Sequence, residues 1–256
     1  MTGRRIALFI VVLVLLGLFL WATVNMTREF EIAGFTTSLE GRAQSQIDNL
    51  YIATAKIDGT ILKPGEVFSF NEIVGERLRS WGYRGAPTIF MGRMVDTPGG
   101  GLCQLSSTLY NAALLSGMDI IERTPHLWKI DSVGPGLDAA IYLEKTGEID
   151  LKFKNPHDLP VKIVCEIQNR RLFVRFISPR ELEEKISVEV ETLKVYPAPR
   201  YPDVPADDGD PMGISSRGTD GYKVRVSRVF SGGGRTARRE IVSVDKYEPV
   251  PGSLTR

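Results

Sequence analysis

The sequence predicts an α+β protein, and three observations predict it. Two stretches with helical periodicity, near residues 38–58 and 102–115, come first. A series of short β-rich runs divided by Gly, Pro, Asn and Asp follows them. An uncharged apolar run stands ahead of everything, and the chain closes on two strand-like runs around SGGGRT. The expected architecture is an N-terminal transmembrane helix, helices packed on an antiparallel sheet, and a small C-terminal β-hairpin module. With 256 residues, 43% of them hydrophobic, the chain can bury one sizeable core and carry an appendage. A net charge of +1 gives no electrostatic case for nucleic acid.

Arg4 and Arg5 precede IALFIVVLVLLGLFLWATV, residues 6–24. As a helix this run spans about 28 Å, close to the roughly 30 Å apolar core of a bilayer. The arginines predict a cytoplasmic N-terminus, and Trp21 falls where interfacial aromatics are favoured. A cleaved signal peptide is the rival reading, but the run is long for one and no A-x-A site follows. The expectation is therefore a single-pass protein of the cell membrane, anchored through residues 6–24, with its main domain extracytoplasmic.

Residues 25–37 read as a juxtamembrane spacer. In SLEGRAQSQIDNLYIATAKIDG, Ile47, Leu50, Tyr51, Thr54 and Ile57 recur every three or four residues, the pattern of a half-buried helix. Val67, Phe68 and Phe70 after the Pro64-Gly65 turn favour a strand. Residues 75–98 read as loop with a short strand at 88–91. The second helix, about 102–115, is followed by DIIERTPHLWKI, DAAIYLEK, EIDLKFKN, LPVKIVCEIQN and RRLFVRFISP, all strand-like. Thr146-Gly147 and Asn169-Arg170 suit hairpin turns. Residues 196–218 are dense in Pro, Asp and Gly and read as a linker. The division expected is 1–24 anchor, 25–37 spacer, 38–185 main domain, and 186–256 linker with a small β-rich module.

The chemistry concentrates at GGGLCQLSSTLYNAALLSG, residues 99–117. Three glycines lead into a helix whose first turn carries Cys103. Amides at a helix start lack intrahelical partners, and the dipole there favours negative charge, so a thiolate at that position is stabilised. Nucleophilic thiol chemistry also needs a base, and a third group that orients the base. His126 and Asp138 follow in order and suit those roles, with Gly100, Gly101 and Gln104 as oxyanion donors. The reaction expected is acyl transfer through a thioester, by hydrolysis or transfer. The bland alternative keeps Cys103 as a structural residue, since free cysteine usually behaves as a small hydrophobe. Cys165, within VKIVCEI, reads that way, and His157 reads as a turn residue. Ser106 and Ser107 have no base arrangement of their own. Two cysteines and two histidines lack the paired spacing of a zinc site, so no metal and no cofactor is expected. The glycine run lacks the G-K-[ST] ending of a phosphate loop.

Several segments carry a family resemblance: PGEVFSFNEIVG (64–75), GY (82–83), GGGLCQLSSTLYNAALLSGMDIIERTPH (99–126), GPGLDAAI (134–141) and DLKFKNPHDLPVKI (150–163). On them the chain resembles the VanW domain, found in exported proteins of Gram-positive bacteria and named for an accessory gene of vancomycin-resistance clusters. The resemblance covers a little over half the chain and places Cys103, His126 and Asp138 on family-motif positions. Where family members often carry a hydroxyl residue after the histidine, this chain has Leu127. The order Cys, His, Asp also resembles the papain-like and transglutaminase-like arrangement. The tail GTDGYKVRVSRVFSGGGRTARREIVSVDKYEPVP resembles small glycine-rich β-modules of cell-wall proteins. These resemblances imply an extracytoplasmic thiol enzyme acting on peptidoglycan or wall-linked peptides. They equally admit a non-catalytic wall-binding or scaffold protein. In both readings the partner is peptidoglycan or another cell-wall polymer.

Overall fold

The computed structural model describes residues 10–11, 13–17, 29–90, 93–144, 147–201 and 218–253. The strands, in chain order, are β1 (Phe30–Ser38), β2 (Ile61–Leu62), β3 (Val67–Ser69), β4 (Gly85–Phe90), β5 (Arg93–Pro98), β6 (Asp119–Glu122), β7 (Tyr142–Glu144), β8 (Gly147–Ile149) and β9 (Lys152–Lys154). They continue with β10 (Val161–Gln168), β11 (Arg171–Ser178), β12 (Glu184–Tyr196), β13 (Arg200–Tyr201), β14 (Gly221–Gly232), β15 (Arg235–Tyr247) and β16 (Gly252–Ser253). Between them lie the helices α1 (Gln44–Ile57), α2 (Phe70–Val74) and α3 (Leu102–Leu115). The fold is α+β.

The main sheet runs β1-β11-β10-β2 and is antiparallel throughout. Alternation specifies its buried face: Val161, Ile163 and Cys165 on β10, and Leu172, Val174 and Phe176 on β11, all point into the core. Asn169 and Arg170 both adopt positive φ, 50° and 53°, which closes the β10–β11 hairpin with the twist its strands need. Helices α1 and α3 pack against this sheet. Nearly every residue of α3 is buried, including Leu105, Leu109, Tyr110 and Leu114. A helix apolar on so many sides must be covered on several, and α3 also touches α1, β6 and β12. A smaller sheet, β3-β9-β6, adds Phe68 and Phe153, stacked at 4.5 Å, to the core. The C-terminal sheet is β12-β14-β15.

Four sequence expectations differ from what is observed. The N-terminal transmembrane helix is corrected first: no helix among the described residues is long and apolar enough to cross a membrane. Residues 10–11 and 13–17 are helical, and the rest of 6–24 lies outside the described residues. The single-pass localisation, which rested on that helix, is corrected with it. The spacer expected over 25–37 contains β1, paired with β11 from Phe30↔Ser178 to Ser38↔Arg171. Its partner lies far along the chain, so local composition carries no trace of the pairing. The first helix starts later than Ser38, at Gln44, where Gln46 Oε1 accepts from Ala43 N at 3.1 Å. Finally, His126 and Asp138 lie just outside strands rather than on them. The Thr146-Gly147 turn falls partly, and the 196–218 linker mostly, outside the described residues.

Candidate active site

Cys103 is the second residue of α3, immediately after a glycine loop. The loop is held by Asn49 of α1, whose Nδ2 donates to Gly100 O (3.1 Å) and Arg84 O (3.0 Å) and whose Oδ1 accepts from Arg84 N (2.7 Å). Gly101 caps the helix at φ 97°, a conformation open mainly to glycine. A Cβ on Gly100 would lie 2.4 Å from Ala86 O, so the loop can lie this close to β4 only as glycine.

One short pairing brings His126 and Asp138 together. Thr124 and Ala140 form an antiparallel bridge, Ala140 N donating to Thr124 O at 2.8 Å. Two residues onward and two back, that register sets His126 opposite Asp138. His126 Nδ1 and Asp138 Oδ2 are 2.5 Å apart, and the same oxygen accepts from His126 N at 2.7 Å. This leaves Nε2 clear of Asp138, and the ring and the Cys103 thiol influence each other's titration. The thiol also points its S–H toward Ile141 O at 3.9 Å.

The helix itself clamps the aspartate strand in place. Ser106 Oγ donates to Ala139 O (2.6 Å), Ser107 Oγ accepts from Ala139 N (3.0 Å), and Asn111 Nδ2 donates to Leu137 O (2.6 Å). Cys103 and this polar face share α3, so thiol, imidazole and carboxylate are fixed in one frame. Asp138 is 1% exposed, whereas the His126 side chain is 21% exposed and Cys103 is half-buried. The His126 ring thus reaches solvent and the Asp138 carboxylate does not.

Electrostatics follow from this burial gradient. Burial pushes the Cys103 thiol up, but its hydrogen bond to His126, the charge of that ring, the Ile141 carbonyl and the Arg77 guanidinium together leave it below its ordinary value. Burial opposes charge on His126 as well, yet hydrogen bonds to Asp138 and Cys103 push it up to about 10. Burial also raises the Asp138 carboxyl, and His126, Arg123 and Tyr247 outweigh that and hold it below the usual range. Both shifts favour charge separation, with negative charge on Cys103 and a proton on His126. Cys165 is the contrast: buried without such partners, its thiol is pushed up.

The predicted oxyanion donors are placed as follows. Gly100 N donates to Thr97 O at 3.1 Å. Gln104 is committed to β1, its Nε2 donating to Thr37 Oγ1 (3.0 Å) and Ser38 O (2.7 Å) while Arg42 Nε donates to its Oε1 at 2.8 Å. Among the described residues, the N–H groups of Gly101 and Cys103 have no backbone acceptor. No cluster of His, Cys, Asp and Glu among the described residues could hold a metal. A concavity of about 430 Å³, lined by His157, Arg228 and Phe230 among others, lies elsewhere and includes none of the three.

Sequence reasoning missed several contributors. Arg123 donates to Asp138 from Nη2 (3.0 Å to Oδ1) and from Nε (2.6 Å to the carbonyl oxygen). Tyr247 Oη donates to Asp138 Oδ1 at 2.5 Å. Arg77 lies against the glycine loop, its Cγ 2.6 Å from where a Gly99 Cβ would sit. Its Nη2 donates to Asn71 Oδ1 at 2.7 Å, and its Nη1 has no partner among the described residues. Arg123 carries a faint signal, three residues before the histidine; Arg77 and Tyr247 carry none.

An α+β protein organised around a helix-start thiol is the class that this fold and site define. The chain belongs to the VanW family: residues 45–177 match the family described as VanW like protein. It is 35% identical over 133 residues to the uncharacterized protein YoaR of Bacillus subtilis (strain 168), a match covering 52% of this chain and 43% of that protein. It is 28% identical over 144 residues to the vancomycin B-type resistance protein VanW of Enterococcus faecalis (strain ATCC 700802 / V583), covering 54% and 51%. The chain spans about half the length of the curated relatives it matches. No solved structure matches it.

The expected partners are corrected here. No helix among the described residues supports attachment through residues 6–24. Neither the fold nor the comparisons point to peptidoglycan or another wall polymer as a ligand, so a membrane-anchored enzyme of peptidoglycan is not the function carried forward.

Proposed function

We propose that this chain is a thiol-dependent acyl-transfer enzyme, a hydrolase or transferase, with Cys103 as nucleophile, His126 as acid–base and Asp138 as the orienting carboxylate. The observation that carries the reading is a half-buried Cys103 thiol coupled electrostatically to His126, whose Nδ1 is hydrogen-bonded to the buried Asp138 carboxylate. The substrate class is an acyl donor with an electrophilic amide, ester or thioester carbonyl. The Cys103 thiolate forms a C–S bond to that carbonyl carbon, and the electron pair moves to oxygen. The N–H groups of Gly101 and Cys103 at the helix start stabilise that oxyanion. On collapse, the bond to the leaving group breaks and His126 Nε2–H protonates it. Water or an amine then attacks the thioester, His126 takes its proton, and the C–S bond breaks to restore the thiolate.

An activated ester tests the reading without knowledge of the natural acyl donor. With p-nitrophenyl acetate, a burst of nitrophenolate should accompany one acetyl group on Cys103, seen by intact and peptide mass spectrometry. Cys103→Ala should abolish the burst, and His126→Ala should slow it by roughly 10²–10⁴. A burst that survives in Cys103→Ala, or acetylation elsewhere, contradicts the proposal.

A further inference from the structure

We propose that the C-terminal sheet completes the thiol site, with Tyr247 as the positioning residue that fixes the Asp138 carboxylate against His126. The inference rests on the reading of Cys103, His126 and Asp138 given above, and it concerns residues beyond the family match at 45–177.

Asp138 accepts four side-chain and backbone donors on its two oxygens. Oδ2 takes both contacts to His126, and Oδ1 takes Arg123 Nη2 and Tyr247 Oη. Tyr247 is the last residue of β15 and is fully buried. Its hydroxyl accepts from Gly136 N at 2.7 Å while donating to Asp138 at 2.5 Å, so one oxygen spans the two ends of the loop that delivers the carboxylate. Gly136, at φ 88°, lies so close to the sheet that a Cβ there would be 2.6 Å from Val226 Cγ2. Beside Tyr247, Asp245 Oδ2 accepts from Arg123 Nη1 at 2.6 Å, with both side chains almost wholly buried. The histidine side is tied as well, since Glu248 N donates to Leu127 O at 2.8 Å.

Both halves of the His126–Asp138 pair are therefore held from the end of β15. A carboxylate with two free oxygens rotates; one with every lone pair engaged does not. A tail that only bound an outside ligand would have no cause to bury a tyrosine hydroxyl on the main domain's aspartate. The docking is polar and specific, for Arg123 Nη1, Tyr247 Oη and Gly136 N each find an acceptor across it.

The test is the titration of the His126 ring by NMR in the full chain. The sequence holds only two histidines, so the His126 ring signals are simply assigned. The wild-type His126 ring should titrate at about 10. In Tyr247→Phe the loosened carboxylate should lower that value at least tenfold in proton affinity. Asp245→Asn should move it the same way by less, and it keeps the test open should Tyr247→Phe not fold. Repeating the comparison in a Cys103→Ala background separates the two claims, because the Tyr247 effect on His126 should persist without the thiol. A folded Tyr247→Phe chain with His126 unchanged or titrating higher overturns the proposal, as does an unchanged His126 in Asp245→Asn.

Discussion

Asp138 is the residue on which the most interactions converge. Its carboxylate is buried with Arg123, which in turn pairs with Asp245 and lies 5.0 Å from the centre of the Tyr110 ring. Removing one partner of such a buried pair leaves the other charge uncompensated. Asp138→Ala should therefore destabilise the fold by about 3–5 kcal/mol. The pH dependence of that loss has a definite sign. The folded Asp138 carboxyl is held below its usual value of 3.8, so its contribution is present above 3.8 and lost as pH falls through the lower folded value. His126 is raised from 6.5 to about 10, so its contribution is full below 6.5 and lost as pH rises through about 10. Urea titrations should show the widest gap between wild type and variant from about pH 4 to 6.5, narrowing on both sides. A gap independent of pH would mean that these groups are not ionised partners. Cys103 and His126 stood out in the sequence because it holds only two cysteines and two histidines, and Asp138 because it follows the turn residues Gly134 to Gly136. Tyr247 and Arg77 did not, because Asp138 and Cys103 lie about a hundred and about twenty-six residues from them and no periodicity links them.

At the scale of elements, the glycine loop and α3 act as one part. The sequence showed the helix, its glycine-led start and its cysteine. It did not show that Asn49 of α1 holds the loop, nor that Ser106, Ser107 and Asn111 grip the aspartate strand. Those side chains lie on a helix face whose partner, residues 137–139, has no regular periodicity to read. The strand β1 was hidden for a related reason: it is an edge strand with mixed burial, and only β11 gives it a register. The close approach of the loop to β4 makes a clear prediction. Gly100→Ala would place a methyl 2.4 Å from Ala86 O and 2.6 Å from Thr88 Oγ1, and should cost about 2–3 kcal/mol. Gly134→Ala, where a Cβ meets nothing within 4 Å, should be near neutral. Equal midpoints for the two variants in denaturant would contradict the packing described here.

At the scale of the whole molecule, the sequence separated the chain into a main domain and a tail, and composition does change between them. The structure joins them across a polar, buried seam at Arg123, Asp138, Asp245 and Tyr247, with Arg228 Nη1 adding a bond to Met118 O at 2.7 Å. A sequence read locally finds strands; it cannot find which surface they cover. The helix expected at the N-terminus shows the converse, because hydropathy alone drew a conclusion that the described residues do not carry.

The central claim is an activated Cys103 thiolate paired with His126, and the rate of iodoacetamide labelling against pH measures it most directly. Cys103 should react below the ordinary thiol pKa of 9.0, hold a plateau, and change again near pH 10 as His126 loses its proton, while Cys165 stays unlabelled. His126→Ala should erase the low-pH reactivity. A Cys103 that labels only above pH 9, with the same profile in His126→Ala, would contradict the account.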